Sequence, residues 1–144
     1  MKAGVSNRLV IDASMTVAWC FEDKKTSYTE GAFGKMVEGA EAVVPSLWPF
    51  EIVNALLQAE RRKRITAAQA TTFLEQVGNF NIVIDSAPRS RIFDWVFLEA
   101  RQQNLTAYDT AYLELALRRG LPLATLDANL KKAAKDLGVP LAHS

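Results

Sequence analysis

Short apolar runs alternate along this chain with longer segments in which apolar residues recur every three or four positions. The short runs are typical of buried strands and the longer segments of amphipathic helices. The alternation predicts an α/β domain, because strands separated by helices pair in parallel within one sheet. The predicted strands are residues 9–11, 42–44, 82–84 and 123–125, with a short fifth at an edge over residues 139–141.

Proline, glycine and capping residues mark where the predicted helices begin and end. Pro49 suits a helix start, Thr66 suits an N-cap, and Gly120 and Gly138 suit helix ends. The predicted helices cover residues 26–37, 49–64, 89–103, 107–119 and 129–137, and a further one runs from Thr66 to about Val77. The helix over 89–103 carries an apolar stripe of Ile92, Phe93, Val96, Phe97 and Ala100.

Length and composition limit the class of protein. A chain of 144 residues with 49% hydrophobic residues predicts a single domain over residues 1–144 with a real core. Lys plus Arg is 17 and Asp plus Glu is 16, so a nucleic-acid partner has to be bound by a local patch. No stretch reaches the roughly 20 apolar residues that a bilayer requires. A soluble, unexported cytoplasmic protein is expected, and the lone Cys20 fits a reducing compartment.

Acidic residues follow the predicted strands and begin the predicted helices. Asp12 ends the first strand, Glu51 and Asp109 lie in first turns of helices, and Asp127 follows the fourth strand. The carboxyl ends of parallel strands share one edge of the sheet, where such folds bind ligands. The sequence therefore predicts that these carboxylates meet at one rim. Asp85 also ends a strand, so position alone would include it as well.

Each acid except Asp12 also has a purely structural explanation. Thr106 and Asp109 have the spacing of a capping box, Asp127 suits an N-cap, and Glu51 at a helix start complements the helix dipole. Asp12 differs, because it follows an apolar strand and no capping box comes after it. An ionised carboxylate there is costly unless hydrogen bonds or a metal compensate it.

The chemistry of the site is limited by the residues that are missing. His143 is the lone histidine and lies in the tail, so a histidine-based metal or nucleophile site has almost no material. A cluster of carboxylate oxygens suits a hard cation, Mg²⁺ or Mn²⁺. Such ions activate water and neutralise charge on a phosphodiester. Hydrolysis of a nucleic-acid backbone is the reaction that agrees best with these residues.

The motifs VIDAS, VPSLWPFEIVNAL, LTAYDTAYLELAL and LATLDANLKKAAKDLGV resemble those of PIN-domain ribonucleases, and among them the VapC-like toxins of toxin-antitoxin pairs. The resemblance spans residues 9–140. It implies a three-layer α/β sandwich, with a parallel sheet of four or five strands and helices on both faces. It also implies an RNA substrate, a homodimer, and a small antitoxin that fills the cleft.

The resemblance also assigns roles to residues. It implies that Asp12, Glu51, Asp109 and Asp127 are catalytic and bind Mg²⁺, with Mn²⁺ as a substitute, and that Ser14 and Thr125 place hydroxyls near the metal. Asn54, one helical turn after Glu51, is a supporting partner. Asp85 has no counterpart in the family motif.

Three other interpretations agree less well with the sequence. A haloacid-dehalogenase-like phosphatase needs a second Asp where Ser14 stands, and a response-regulator receiver needs an acidic pair beside the first strand and a late lysine. A catalytically silent PIN-like module for RNA binding or assembly is the alternative from a different class. Two basic groups are candidates for phosphate contacts: residues 61–64, for which a solvated face at a helix end is the favoured interpretation, and the lysines Lys131, Lys132 and Lys135, which lie nearer the proposed site. Trp19 and Trp48 are candidates for base stacking, but buried packing is the favoured interpretation.

Overall fold

The computed structural model describes residues 7–142 and has a parallel sheet at its centre. Within those residues the sheet has the strands β1 (Arg8–Ile11), β2 (Glu41–Pro45), β3 (Asn81–Asp85) and β4 (Leu123–Ala124) in the order β3-β2-β1-β4. The central strand β1 pairs with β2 on one side and β4 on the other, and Val10 and Val43 in β1 and β2 are fully buried. This explains why these strands are almost continuously apolar.

Helices cover both faces of the sheet, so the predicted three-layer α/β fold is confirmed. The longer helices are α2 (Ser27–Val37), α3 (Trp48–Arg61), α4 (Ala67–Gly78), α7 (Ala107–Arg119) and α8 (Ala128–Asp136). The shorter ones are α1 (Ala13–Ala18), α5 (Arg89–Arg91) and α6 (Phe97–Gln103). A 3₁₀ turn covers Glu22–Lys24, and a π-helical turn covers Ile92–Val96.

The expected start and stop signals lie at the helix ends. Thr66 caps α4 through a hydrogen bond from the Gln69 backbone N–H, and the Gln69 side chain accepts the N–H of Thr66 in return. Gly120 and Gly138 follow α7 and α8 with φ angles of 65° and 77°. That left-handed conformation favours glycine, because other residues pay a steric penalty there.

Two features at the ends of the sheet differ from the prediction. Helix α1 begins directly after β1 and was not predicted, since six residues are too few to show a helical period. The predicted fifth strand over residues 139–141 is reduced, in the described part of the chain, to one bridge between Leu123 and Leu141. Pro140 cannot donate a ladder hydrogen bond, which shortens this edge.

The segment predicted as one helix over residues 89–103 is divided by the π-helical turn at Ile92–Val96. A π turn bonds each residue to the fifth one along and so changes which side chains share a face. Of the predicted apolar stripe only Val96 is buried, whereas Phe93 is 73% exposed and Phe97 55% exposed. Most of this stripe therefore leaves apolar surface outside the core.

Buried ion pairs tie the end of β3 to helix α7. Asp85 accepts hydrogen bonds from Arg118 and from Arg119 Nε at 2.8 Å. Glu114 accepts one from Arg118 Nε at 2.7 Å and one from Arg91 Nε at 2.9 Å. The hydrogen bond from Arg118 is the main reason that the pKa of Asp85 is lowered. Asp85 is thus neutralised by arginines, which agrees with leaving it out of the predicted acid site.

The two tryptophans considered for base stacking pack within the protein. Trp48 is buried, and Trp19 packs edge-on against Phe33 and Phe80 while its indole N–H donates to the Thr29 carbonyl. Cys20 is half-buried, and burial raises the pKa of its thiol. His143 lies outside the described residues. Among the helices of residues 7–142, none combines the length and the apolar character needed to cross a bilayer.

Candidate active site

Asp12 sits at the junction of β1 and α1. Its backbone N–H donates to the Ala124 carbonyl of the neighbouring strand β4 at 3.1 Å, which fixes it at the carboxyl edge of the sheet. Its carboxylate accepts the Met15 N–H at 2.9 Å, so Asp12 is the N-cap of α1. The structural explanation considered for the other acids therefore applies to Asp12 as well, because the helix that it caps escaped prediction.

Two hydroxyls donate to the buried Asp12 carboxylate. Ser14 Oγ donates to Oδ1 at 2.7 Å, and Thr125 Oγ1 donates to Oδ2. Each hydroxyl also accepts a backbone N–H: Ser14 from Leu126 and Thr125 from Asp127, both at 3.0 Å. Because each hydroxyl has a single hydrogen and uses it on Asp12, the network suits an ionised carboxylate. The loop after β4 is thereby fixed against α1.

Glu51 lies in the first turn of α3 and faces helix α7. The phenol of the buried Tyr112 donates to Glu51 Oε1 at 2.6 Å. This bond joins α3 to α7, one turn beyond Asp109 on the same helix. Asn54 is exposed one turn after Glu51. Helix α7 therefore carries Asp109 and, through Tyr112, orients Glu51.

The other two acids lie at the starts of α7 and α8. Thr106 caps α7 by accepting the Asp109 N–H at 3.0 Å, so Asp109 is not itself the N-cap. Asp127 is the N-cap of α8 and accepts the Leu130 N–H at 2.8 Å, as the structural explanation predicted. Asp109 and Asp127 are both partly exposed and so remain accessible to a ligand.

The carboxylates are close enough to influence one another. Burial raises the pKa of Asp12, its three hydrogen bonds lower it, and the charge on Asp109 raises it further. Burial also raises the pKa of Glu51, and Asp109 and Asp12 add to that effect. Burial followed by the charge of Asp127 raises the pKa of Asp109. Like charges have been gathered here, as the strand-end pattern predicted.

Two of these acids, Glu51 and Asp127, line an open cavity of about 490 Å³ between α1 and α3. Ser14, Glu51, Asn54 and Asp127 line it on the acidic side, and Lys24 and Arg64 line it as well. The volume lies within the range of small-molecule and cofactor sites. The supporting residues Ser14 and Asn54 thus share one cavity with two of the predicted acids.

The donor set agrees in kind with a hard divalent cation, since it consists of carboxylate and hydroxyl oxygens. In the described part of the chain, however, no three His, Cys, Asp or Glu side chains stand close enough together to hold an ion. One oxygen each of Asp12 and Asp127 is used by a helix N–H. Mg²⁺ usually keeps several waters and few direct protein ligands. The acids therefore fit an ion that is bound through few direct contacts, and not a closed cage.

Two tyrosines beside the acids were missed from the sequence. Tyr112 holds Glu51, and Tyr28 Oη accepts the Thr125 N–H at 3.3 Å. The spacing of Tyr112, three residues after Asp109, was the available signal, because such residues share a helix face. Tyr28 had no comparable signal, since α2 is far from β4 in sequence.

The predicted basic groups are divided by the structure. Arg64 lines the cavity, whereas the lining contains no part of Arg61, Arg62 or Lys63 in the described residues. Lys131, Lys132 and Lys135 line a separate shallow depression that includes residues 138–141. The Lys131 ammonium lies 5.3 Å from the centre of the Tyr28 ring.

Comparison with known proteins agrees with this arrangement. A profile described as the PIN domain matches residues 9–136. Ribonuclease VapC3 of Pyrobaculum aerophilum is 27% identical over 133 residues, which are 92% of this chain and 99% of that protein. The crystal structure of PAE2754 from Pyrobaculum aerophilum is similar with a TM-score of 0.68 and 25% identity, over 91% of this chain and 87% of that one. The segment matched by the profile includes Asp12, Glu51, Asp109 and Asp127.

Proposed function

We propose, on the premise that this chain belongs to the PIN-domain family, that it is a single-domain ribonuclease that hydrolyses RNA phosphodiester bonds with a divalent ion, Mg²⁺ or Mn²⁺. One observation carries the proposal: Asp12, Glu51, Asp109 and Asp127 are linked by mutual charge effects at the carboxyl edge of the sheet, beside an open cavity. A bound cation would relieve the repulsion between these carboxylates, which is why clusters of like charge are typical of ion-binding sites.

The residues divide into metal-binding and supporting groups. Asp12, Glu51, Asp109 and Asp127 would hold the ion, which when bound lowers the pKa of its water and neutralises charge on the phosphate. Ser14 and Thr125 keep Asp12 ionised and oriented through their hydrogen bonds. Tyr112 orients Glu51 in the same manner. Asn54 projects into the cavity, where its amide is available to the substrate.

Removal of metal is expected to abolish cleavage. Purified protein with Mg²⁺ or Mn²⁺ should cleave single-stranded or structured RNA, and excess chelator should reduce the rate to background, because hydrolysis without the ion lacks an activated water. Gel analysis of labelled RNA measures both rates, and restoring Mn²⁺ in excess over the chelator is the control for reversibility. Cleavage that persists in chelator would contradict the mechanism.

A catalytically silent RNA-binding or assembly module is the second candidate. The observation in its favour is that, among residues 7–142, no three acidic side chains are arranged closely enough to hold an ion directly. Such a module would bind RNA without cleaving it under either metal. The same assay therefore separates the two functions, with RNA retardation in native gels as the readout for binding.

We propose further that the protein is the toxin of a toxin-antitoxin pair and acts in the cytoplasm. The similarity to a protein named Ribonuclease VapC3 supports this role. A small antitoxin protein would bind over the cavity and exclude RNA from the acids. The open shape of the cavity supports such a mode, because its mouth is accessible to a macromolecule.

The protein is expected to form a homodimer through the face around the π-helical turn. Ile92, Phe93, Phe97 and Leu98 are each at least 43% exposed, and clustered apolar surface of this kind marks interaction sites. Sedimentation should give about twice the chain mass of 15.9 kDa. Phe93→Asp should give monomer, whereas Val37→Asp, at an exposed position on α2, should not. A wild type that stays monomeric at high concentration would contradict the dimer.

A further inference from the structure

The cavity that borders the acids also has a cationic side. Residues 61–64 carry four consecutive cations at the end of α3, and Arg64 is the member that lines the cavity. Its position follows from the local backbone: Lys63 adopts a left-handed conformation with φ of 59°, and the Arg64 N–H donates to the Ala59 carbonyl at 2.9 Å. This reversal turns Arg64 away from the preceding cations and toward α1.

Arg64 lies over an aromatic ring and has only a long ion pair. Its guanidinium carbon lies 4.3 Å from the centre of the Phe21 ring, and the ring is largely buried beneath it. Its ion pair with Asp23, the only one it makes among residues 7–142, is long at 3.4 Å, and the Asp23 side chain is 69% exposed. An exposed pair of this kind contributes little to stability, so Arg64 can exchange Asp23 for another anion. The guanidinium is thus oriented by an aromatic ring and available to a ligand.

Lys24 supplies a second cation on the same side of the cavity. It lies in the 3₁₀ turn directly after Phe21, and its side chain is exposed. The adjacent Lys25 pairs with Glu22 at 2.9 Å, but Lys24 has no ion pair within the described residues. A lysine without an ion pair among the described residues, beside an arginine that lies over an aromatic ring, suits an anionic ligand that extends away from the acidic side of the cavity.

We propose that Arg64, Phe21 and Lys24 form a nucleotide subsite that binds the RNA residue next to the scissile phosphate. The inference rests on the proposed ribonuclease function and adds a binding determinant to it. Arginine planes stack on bases in single-stranded RNA, and lysines contact its phosphates. The base would stack on the outer face of Arg64, while Phe21 supports the inner face. Lys24 would bind the phosphate of that nucleotide.

The cavity favours a single strand over a duplex or an acidic protein. A cavity of about 490 Å³ has room for one nucleotide, but not for a nucleic-acid duplex or a protein helix. A planar cation that is supported on an aromatic ring matches a base, which has a flat face, whereas an acidic peptide requires only charge. The short distance in sequence between Phe21 and Lys24 also suits one nucleotide, which carries one base and one phosphate.

The test compares Arg64→Met with Arg61→Met in cleavage of an unstructured 12-nucleotide RNA. Methionine keeps an apolar chain over Phe21 and removes the charge and the plane, and Arg61 is the matched control outside the cavity. Arg64→Met should raise KM about tenfold with kcat changed less than about twofold, a loss expected for one stacked base. Arg61→Met should stay at the wild-type value. Melting temperatures check that both variants are folded.

Two further variants separate stacking from charge. Arg64→Lys keeps the charge but loses the planar guanidinium group, so its KM should be at least about threefold higher than that of the wild type. Lys24→Ala should raise KM about threefold and reduce the slope of log affinity against log salt by about 0.7, the value for one phosphate contact on a single strand. A wild-type KM for Arg64→Lys would overturn the stacking role. Equal KM values for Arg64→Met and Arg61→Met would overturn the subsite and leave Arg64 to contacts with a protein partner.

Binding measurements distinguish failure of the subsite from failure of the proposed function. Anisotropy of the same fluorescent RNA, recorded in chelator, requires no cleavage. If the wild type binds RNA about tenfold more tightly than Arg64→Met, the subsite stands even where no metal supports cleavage. If the wild type cleaves with metal but Arg64→Met matches it in both assays, the subsite alone is wrong.

Discussion

Asp12→Asn is expected to reduce RNA cleavage roughly a thousandfold or more, in line with the loss of a central catalytic carboxylate. The metal-free protein should nevertheless be as stable as the wild type, or more stable by about 1 kcal/mol. Asparagine keeps the shape and remains a good N-cap, so the Met15 N–H keeps an acceptor. What disappears is a buried charge, whose ionised form is opposed by burial and by Asp109, together with one of the two oxygens that accept hydroxyl hydrogen bonds.

The sign of the stability change follows from the pKa of Asp12. A carboxyl whose pKa is raised in the folded state binds its proton more tightly there than in the unfolded chain. Folding is therefore weakened by this group at pH values above its unfolded pKa, including pH 7. Removing the charge removes that penalty. Chemical denaturation at pH 7 in chelator measures the difference directly.

Magnesium should separate the two proteins in a second measurement. An ion that binds only the folded state stabilises it by about 2.7 kcal/mol at a hundred times its dissociation constant. Thermal melts with and without Mg²⁺ should therefore show a larger rise for the wild type than for Asp12→Asn. If Asp12 is only a helix cap, the variant loses stability and neither protein responds to Mg²⁺. A destabilised variant whose melting temperature does not respond to Mg²⁺ would mean that Asp12 is a helix cap and not a metal ligand.

The location of the acids was predictable because parallel strands impose it. In a parallel sheet the end of each strand and the start of the next helix lie at one edge. The positions of Asp12, Glu51, Asp109 and Asp127 at that edge could therefore be predicted without knowing any contact between them. What sequence reasoning did not give was the bonding between them. Tyr112 reaches Glu51 from another helix, and its spacing from Asp109 indicates a shared helix face but not the residue of α3 that it contacts.

The features of the fold that could be predicted are those with local causes in the sequence. Caps and glycines mark helix ends through bonds within a few residues, so Thr66 and Gly120 were read correctly from the sequence. Helix α1 was not predicted, because its six residues are stabilised by the cap at Asp12 and by burial of Met15. The π-helical turn at Ile92–Val96 was also missed, since a π turn and an α-helix use the same residue types.

Asp85→Asn is expected to cost about 2–3 kcal/mol of stability at pH 7, because breaking a buried ion pair leaves its partners uncompensated. The Asp85 side chain is 5% exposed, whereas those of Arg118 and Arg119 are 29% and 34% exposed, so water offsets part of the loss. Urea denaturation measures the change. Cleavage and the stabilisation by Mg²⁺ should be unaffected, because Asp85 pairs with arginines and does not line the acidic cavity.

The pH dependence of this loss should be opposite in sign to the effect at Asp12. The hydrogen bond from Arg118 lowers the pKa of Asp85 below its ordinary value of 3.8. Its stabilisation is therefore complete above that value and disappears as the pH falls through the lowered pKa. The wild type and Asp85→Asn should converge in stability as the pH falls through this lowered pKa and differ fully at pH 7. Two buried carboxylates at strand ends would then be distinguished by function: removal of Asp85 destabilises the fold, and removal of Asp12 does not. Equal losses of stability at pH 7 for the two variants would mean that both acids serve structure alone.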